Sequence, residues 1–176
     1  MADLVLTVVG DDRAGLVSAL ADRVSAAGAN WEQSELAELA GAFAGIVLVS
    51  VPDDRLDELT DSLRSLDGLL KVAVHAGGAP SAAASDDAAS HDVHLLEVTV
   101  LGNGRPGIVR DVSAAIAAHA LSIETFRSRT LAAPMAGGTL FEATAAVRLP
   151  AGADASQIRA ALEELASEIQ VDLTVV

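Results

Sequence analysis

The chain has 176 residues, of which 51% are hydrophobic and 2% aromatic, and it carries a formal net charge of −14. This length suits one ordinary domain or two small ones, and the apolar content is ample for a packed core. Acidic residues outnumber basic ones by 25 to 11, which argues against direct nucleic-acid binding because that function needs a basic patch to neutralise phosphates.

The sequence carries few signals for targeting or for redox chemistry. No apolar run reaches the roughly 18 residues that a membrane span needs, and the start "MADLVLTV" lacks a basic n-region. Cysteine is absent, which excludes disulfides and thiolate metal ligands. We therefore expect a cytoplasmic protein that does not associate with a membrane.

The first half of the chain predicts alternating strands and helices. A β-rich run from Leu4 to Val9 is followed by the glycine-bracketed loop "GDDRAG" and by apolar residues at helical spacing up to Val24. Gly28 suits the position just past a helix end. Two further runs, Trp31 to Leu39 and Phe43 to Val51, predict a hairpin that turns at Ala40-Gly41.

A second apolar helical stripe follows, formed by Leu56, Leu59, Leu63 and Leu66 and ended by Gly68, and the run "LLKVAVH" predicts a closing strand. The order is β-α-β-β-α-β, the ferredoxin-like arrangement of an α+β fold, with a four-stranded antiparallel sheet and both helices on one face. The second strand lies at an edge of such a sheet.

The stretch "GGAPSAAASDDAASHD", residues 77–92, contains almost nothing to bury and predicts a flexible linker. It separates a first domain, residues 1–76, from a second, residues 93–176. The second domain repeats the first at an offset of 92 residues, which becomes 98 beyond residue 34 because six residues are inserted around "TLAAPM", Thr130 to Met135. A repeat of this length indicates two related domains.

The elements of the second domain follow from the repeat. They are a strand from Leu95 to Leu101, a helix with Ile108, Val109, Val112 and Ile116, a hairpin of Ile123 to Leu131 with Thr139 to Leu149, a helix with Ile158, Leu162, Leu165 and Ile169, and the strand "VDLTVV".

The two loops "GDDRAGLV" and "GNGRPGIV" are the strongest candidate sites. The second spells G-x-G-x-x-G, but a dinucleotide fingerprint needs a larger parallel sheet, and the first copy has Asp12 in place of the middle glycine. A Walker A motif fails because Leu16 and Val17 stand where Lys and Ser/Thr are required.

The histidines and serines do not form a recognisable catalytic or metal-binding pattern in the sequence. His75, His91, His94 and His119 are scattered, and the serines at 18, 25, 34 and 50 have no companion histidine. We therefore expect no catalytic residues, no cofactor and no metal.

The loops predict an amino-acid site on physical grounds. Backbone N–H groups of a first helical turn lack intrahelical partners and carry partial positive charge, so they stabilise a carboxylate. Asp11 and Asn103 could accept hydrogen bonds from an ammonium group. Two alternatives stay open: Asp11, Asp12 or Asn103 merely caps the helix, and Arg13 and Arg105 either pair with a carboxylate or are solvated loop charges.

The candidate ligand-binding residues are Asp11, Asp12, Arg13, Ala14, Gly15, Leu16 and Val17 in the first loop and Asn103, Gly104, Arg105, Pro106, Gly107, Ile108 and Val109 in the second.

These loops are followed by "AGANWE" and "HALSIE", and together they resemble the D-R-P-G-[IL]-V … G-[AVL]-N-I-[EL] pattern of ACT domains. The resemblance covers nearly the whole chain outside the linker. A chain of two such domains is similar to the glycine cleavage system transcriptional repressor family. In the first copy, Ala14 replaces the usual proline of the pattern, whereas Asn30 keeps the usual asparagine. In the second copy, Ser122 replaces that asparagine, and Asn103-Gly104 replaces the usual acid before the arginine. We therefore expect two unequal sites.

The resemblance implies domains that pair side by side into an eight-stranded sheet and bind amino acids at the strand–helix loops. It implies a non-catalytic regulatory protein that senses a small amino acid, with glycine and serine as candidates, acts through a transcription factor or metabolic enzyme, and forms a homodimer. Two alternatives stay open: a ligand-free protein-interaction module, and a detached regulatory subunit of an amino-acid metabolic enzyme. We expect Trp31 and Phe126, on the predicted edge strands, to serve packing or an interface.

Overall fold

The computed structural model describes residues 1–77, 94–119, 121–132, 139–149 and 169–175, together with the helical positions 156 and 160. The chain divides into two compact units, Met1–Asp86 and Asp87–Val176. The predicted linker beyond residue 77 and the predicted helical residues Ile158, Leu162 and Leu165 lie outside the described residues.

The first unit forms one antiparallel sheet in the strand order β2-β3-β1-β4. Its elements are β1 (Ala2–Asp11), α1 (Leu16–Ala26), β2 (Asn30–Leu39), β3 (Ala42–Val51), a 3-10 turn (Asp53–Arg55), α2 (Leu56–Arg64) and β4 (Lys71–Ala76). The predicted order of elements is therefore confirmed, with the second strand at an edge.

The second unit repeats this topology, with the order β6-β7-β5-β8. Its elements are β5 (His94–Asn103), α3 (Ile108–Ala118), β6 (Ser122–Ala132), β7 (Thr139–Leu149) and β8 (Ile169–Val175). The predicted α+β fold, two ferredoxin-like domains in tandem, is confirmed by the two matching sheets.

Two predicted boundaries in the second unit are wrong. Ile169 is predicted in a helical stripe but begins β8, and the strand predicted to end at Leu131 continues by one residue, to Ala132. A short apolar stretch satisfies helical and extended spacing alike, so periodicity alone cannot place such a boundary.

The core of each unit lies between one sheet face and the helices. Alternate residues of β1, namely Leu4, Leu6 and Val8, are at most 7% exposed, and they pack with buried side chains of both α1 and α2. Val9 and Ile46, which belong to the opposite sheet face, are 47% and 50% exposed. This alternation places both helices of the first unit on a single face, as predicted.

The core of the second unit is built in the same way from β5, β7 and α3. Within the described residues, no helix is long and apolar enough to cross a membrane.

The hairpin between β2 and β3 turns at Ala40 and Gly41, as predicted. Their φ angles are 53° and 84°, and two consecutive positive φ values are what a two-residue hairpin turn matching the twist of its strands requires. Ala40 is the single residue other than glycine with positive φ in the part of the chain that the structure describes. The Gly41 N–H donates to the Glu38 side chain at 2.7 Å.

The edge strands β2 and β6 carry a β-bulge at the same place in the repeat. In β2 the bulge lies between Trp31 and Gln33, and Glu32 accepts a hydrogen bond from the Ser50 hydroxyl at 2.6 Å. In β6 it lies between Ile123 and Thr125, and there the bulged Glu124 accepts from Arg148 Nε at 2.6 Å.

The aromatic residues of the edge strands are partly buried. Trp31 packs against the core of the first unit, and Phe126 packs against the core of the second. Packing is therefore the role that the structure assigns to both side chains.

Candidate functional site

The first loop joins the end of β1 at Asp11 to the start of α1 at Leu16. Gly15 caps the helix with φ 91°, in the left-handed region, and no side chain caps this terminus. A Cβ at Gly15 would have open space around it, with nothing within 4 Å. The glycine is therefore required by the backbone conformation, not by a crowded neighbour.

The second loop has the same geometry. Gly107 caps α3 with φ 87°, again without a side-chain cap, and a Cβ there would also meet nothing within 4 Å. In both copies the first helical hydrogen bond reaches the capping glycine, from Ala19 N to Gly15 O at 2.9 Å and from Asp111 N to Gly107 O at 3.0 Å.

This arrangement leaves backbone donors available at both helix starts. The N–H groups of a first helical turn have no intrahelical acceptors, and a glycine at the cap supplies no side-chain oxygen for them. In the first loop, Gly15, Val17 and Ser18 are exposed. At the start of α3 the Ile108 N–H donates to Arg105 O at 3.4 Å, which leaves the later first-turn N–H groups as donors. Both helix starts therefore present backbone donors with partial positive charge.

Each loop is tied to the neighbouring hairpin by one equivalent hydrogen bond. The Asp12 N–H donates to Gly41 O at 2.8 Å, and the Gly104 N–H donates to Thr139 O at 2.8 Å. A Cβ at Gly104 would lie 2.6 Å from Thr139 Oγ1, so a side chain larger than glycine is excluded there without movement of the hairpin.

The helix-capping alternative for Asp11, Asp12 and Asn103 is wrong. No side-chain cap hydrogen bond forms at α1 or α3, because the left-handed glycine occupies the capping position itself. All three polar side chains are exposed beside the helix start.

Arg13 is exposed and has backbone partners in the structure. Its Nη2 atom donates to Gly68 O at 3.0 Å and to Leu69 O at 3.4 Å, in the connection between α2 and β4. The guanidinium thus joins the first loop to a segment 55 residues further along the chain.

Arg105 has a different partner. Its Nη1 atom lies 2.8 Å from a carboxylate oxygen of Asp111, in the first turn of α3. Arg110 Nη2 contacts the other oxygen of the same carboxylate at 3.1 Å. Hydrogen bonds from Arg105, and then from Arg110, hold the pKa of Asp111 below its ordinary value, against a smaller opposing effect of desolvation.

Asp111 is the residue of this site that the sequence analysis missed. An acidic residue in the first turn of a predicted helix is a recognised signal, and it stands six residues after Arg105. The equivalent position in the first domain is Ala19, so the first turn of α1 contains no acid.

The remaining candidate residues differ in what they can offer a ligand. Leu16 and Ile108 are 2% and 4% exposed because their side chains belong to the cores, so only their backbone atoms can contribute. Val17 and Val109 are 45% and 43% exposed. Ala14 and Pro106 are exposed loop residues.

Of the four histidines, the structure describes the side chains of His75 and His119. His75 Nε2 lies 3.4 Å from the Thr7 hydroxyl, His119 ends α3, and neither His91 nor the side chain of His94 is among the described residues. Within the described ranges, no three metal-ligating side chains form a cluster.

Two open cavities are lined by residues other than the loop residues. One of about 330 Å³ is lined by Arg127, Ser128, Arg129, Glu142 and Thr144 on the β6–β7 hairpin. Another of about 190 Å³ is lined by residues at the end of α2 and the start of β4.

Comparison with known proteins agrees with this architecture. Residues 2–76 match the family model of the ACT domain. An unknown protein from Galdieria sulphuraria has a TM-score of 0.83 at 29% identity, over 99% of this chain and 98% of that one. A protein assigned as a glycine cleavage system transcriptional repressor has a TM-score of 0.70 at 20% identity, over 99% and 97%.

No curated protein matches the chain, and the family match names a domain rather than a catalytic activity. The second unit has the strand order and loop geometry of the first. Residues 2–76 therefore match the ACT-domain family, the second unit repeats the fold of the first, and the whole chain shares its fold with these two solved structures.

Proposed function

We propose that this chain is a non-catalytic, cytoplasmic regulatory protein that binds a small amino acid, glycine or serine, at the loops before α1 and α3 and acts through a protein partner. The observation that carries the proposal is the repeated helix start, where Gly15 and Gly107 leave the first-turn N–H groups without side-chain caps.

The carboxylate of the amino acid is the group that these donors fit. Anions are stabilised at helix starts because unpaired N–H groups point outwards and the peptide dipoles add a partial positive charge. The open space beside Gly15 lets an anion approach the backbone, and the exposure of the loop suits a ligand that must bind and leave reversibly.

The ammonium group of the amino acid has acceptors beside it. Asp11 and Asp12 are exposed in the first loop and do not cap the helix, so their carboxylates are available as charged acceptors. The second loop offers Asn103, a neutral acceptor. A ligand with a carboxylate and an ammonium two bonds apart matches this pairing of donors and acceptors, whereas a nucleotide does not.

The partner is a protein in this proposal because of the charge of the chain. A net charge of −14 repels nucleic acid at long range, so a regulator of transcription built on this chain would act on a transcription factor and not on DNA. The name of the structural relative, a glycine cleavage system transcriptional repressor, supports a transcription factor over a metabolic enzyme.

Isothermal titration calorimetry with each free amino acid tests the binding step. Trp31, the single tryptophan, lies too far from the first loop to report binding by its fluorescence. It pairs with Val49 of β3, which pairs with Leu4 of β1, and Leu4 is seven residues along β1 from Asp11. That separation is about 23 Å at about 3.3 Å per residue, so binding heat and melting temperature are the better signals. Ligand at about 100 times Kd would stabilise the folded state by about 2.7 kcal/mol.

The variants Gly15→Asn and Gly107→Asn identify the loop involved, because asparagine tolerates the left-handed backbone while adding a side chain. Gly28→Asn is the matched control, since Gly28 also has positive φ and open space but lies past the end of α1. We expect binding to be lost with a loop variant and retained with the control. Absence of heat and of a melting shift with every amino acid would leave the ligand-free interaction module as the function.

A further inference from the structure

The two loops differ in whether an acidic side chain stands in the first turn of the helix that follows them. The backbone geometry is the same at Gly15 and Gly107, but the first turn of α3 contains Asp111 and the equivalent turn of α1 contains Ala19. Both positions are partly buried. The two loops therefore share the conformation of the capping glycine and differ in the charge at this first-turn position.

In the second loop, Asp111 behaves as an internal anion. Its side chain is 20% exposed, and its two oxygens contact the guanidinium groups of Arg105 at 2.8 Å and Arg110 at 3.1 Å. It also stands in the first helical turn, where a negative charge neutralises the positive end of the helix dipole. Any carboxylate that arrives at this loop meets a guanidinium already paired and a negative charge beside it.

In the first loop, the arginine has neutral partners. Arg13 donates to the carbonyl oxygens of Gly68 and Leu69, and its side chain is exposed. A guanidinium and a carboxylate form two parallel, charge-assisted hydrogen bonds in a bidentate pair, whereas the two carbonyls are neutral acceptors. An incoming carboxylate can therefore take the Arg13 guanidinium from two carbonyls, and the exposed Gly68 carbonyl can turn to water.

We propose that Asp111 is an autoinhibitory residue that keeps the second loop from binding an amino acid, so that the first loop alone is the binding site. This inference rests on the proposed function, because it assigns that function to one loop. It predicts that a single residue at the position shared by Ala19 and Asp111 decides whether each loop accepts a carboxylate.

The test exchanges those two residues and measures binding stoichiometry by calorimetry with glycine and with serine. The natural chain is expected to bind about one equivalent, Asp111→Ala about two, and Ala19→Asp none detectable, a loss of at least ~10-fold in affinity, or 1.4 kcal/mol. In the Asp111→Ala chain, adding Gly15→Asn should leave about one equivalent, held at the second loop. Asp111→Asn, which keeps the shape of the side chain, serves if the alanine variant fails to fold.

The outcomes separate this inference from the proposal beneath it. The autoinhibitory role would be overturned, with amino-acid sensing left intact, if the natural chain bound two equivalents of amino acid. The same would follow if it bound one equivalent and Gly107→Asn abolished that binding. An unchanged stoichiometry in both Asp111→Ala and Asp111→Asn would do the same. No binding to the natural chain or to the Asp111 variants would overturn the proposed function, and the inference with it.

Discussion

The backbone N–H of Asp12 donates to the carbonyl oxygen of Gly41 at 2.8 Å, so the candidate ligand loop is held by the turn of the β2–β3 hairpin. Gly104 and Thr139 repeat this contact in the second unit. Because the hairpin turn supports the loop, the conformation of Ala40 and Gly41 bears on the site as well as on the sheet.

Ala40→Asn is expected to stabilise the first unit by about 0.5–1 kcal/mol. The φ of Ala40 is 53°, a left-handed conformation that costs an L-residue roughly 1–2 kcal/mol and that asparagine adopts more readily. Asn-Gly is also the favoured pair for this turn. Urea unfolding measures the change, and Ala37→Asn, on the extended β2 strand, should give no gain. Equal gains at both positions would mean that turn conformation is not the cause.

Gly45→Ala is expected to destabilise the first unit by about 1–3 kcal/mol. A Cβ at Gly45 would lie 2.0 Å from Glu35 O and 2.8 Å from Leu36 Cα. These are backbone atoms of β2, so the whole edge strand must move. The equivalent position in the second unit, Ala143, already carries a Cβ and is buried.

The reciprocal variant Ala143→Gly is therefore the control, with an expected loss of about 1–2 kcal/mol from backbone entropy and the removal of a buried methyl group. A Gly45→Ala protein as stable as the natural chain would show that β2 lies further from β3 in solution than this close approach implies.

Arg13→Gln is expected to loosen the connection between α2 and β4 with little effect on global stability. The exposed guanidinium donates to Gly68 O and Leu69 O, and exposed interactions of this kind contribute about 1 kcal/mol or less. Hydrogen exchange should speed up at the Leu69 and Leu70 amides, which bond to Leu66 O at 2.8 and 2.9 Å.

Arg105→Gln is the matched control for that measurement, since it removes the same group from the other loop and should leave exchange in the α2–β4 connection unchanged. If Arg13→Gln left exchange at Leu69 and Leu70 unaltered, the contact would have no structural role.

Asp111→Asn is expected to change how the stability of the second unit depends on pH. The pKa of Asp111 is lowered in the folded state by hydrogen bonds from Arg105 and Arg110, whereas in the unfolded state it is about 3.9. Stabilisation by the carboxylate is thus fully present above about pH 4 and is lost as the pH falls through the lower folded-state value.

The natural chain should therefore lose stability more steeply than Asp111→Asn as the pH falls below about 4, as measured by hydrogen exchange of the α3 amides. Glu97→Gln, an exposed position on β5, is the control and should keep the natural pH profile. A natural profile in Asp111→Asn as well would mean that the ion pair with Arg105 does not persist in solution.

Much of this fold could be predicted from residues close together in the chain. Hydrophobic spacing predicted the strands and the helices of the first unit, the two glycines at positive φ after α1 and α2 marked the ends of these helices, and the repeat extended the assignment to the second unit. These features depend on local backbone preferences and on period, which a sequence displays directly. The boundary at Ile169 was wrong because both periods fit it.

The partners of the loop residues were decided by the tertiary structure alone. Arg13 and Arg105 occupy the same place in the repeat, yet Arg13 bonds to carbonyls 55 and 56 residues away and Arg105 to a carboxylate in the helix that follows it. Sequence by itself determined that both loops carry a glycine, an arginine and a polar side chain before a helix. The charges that remain available to a ligand depend on which groups folding brings within hydrogen-bond distance. The local sequence pattern does not specify those tertiary contacts.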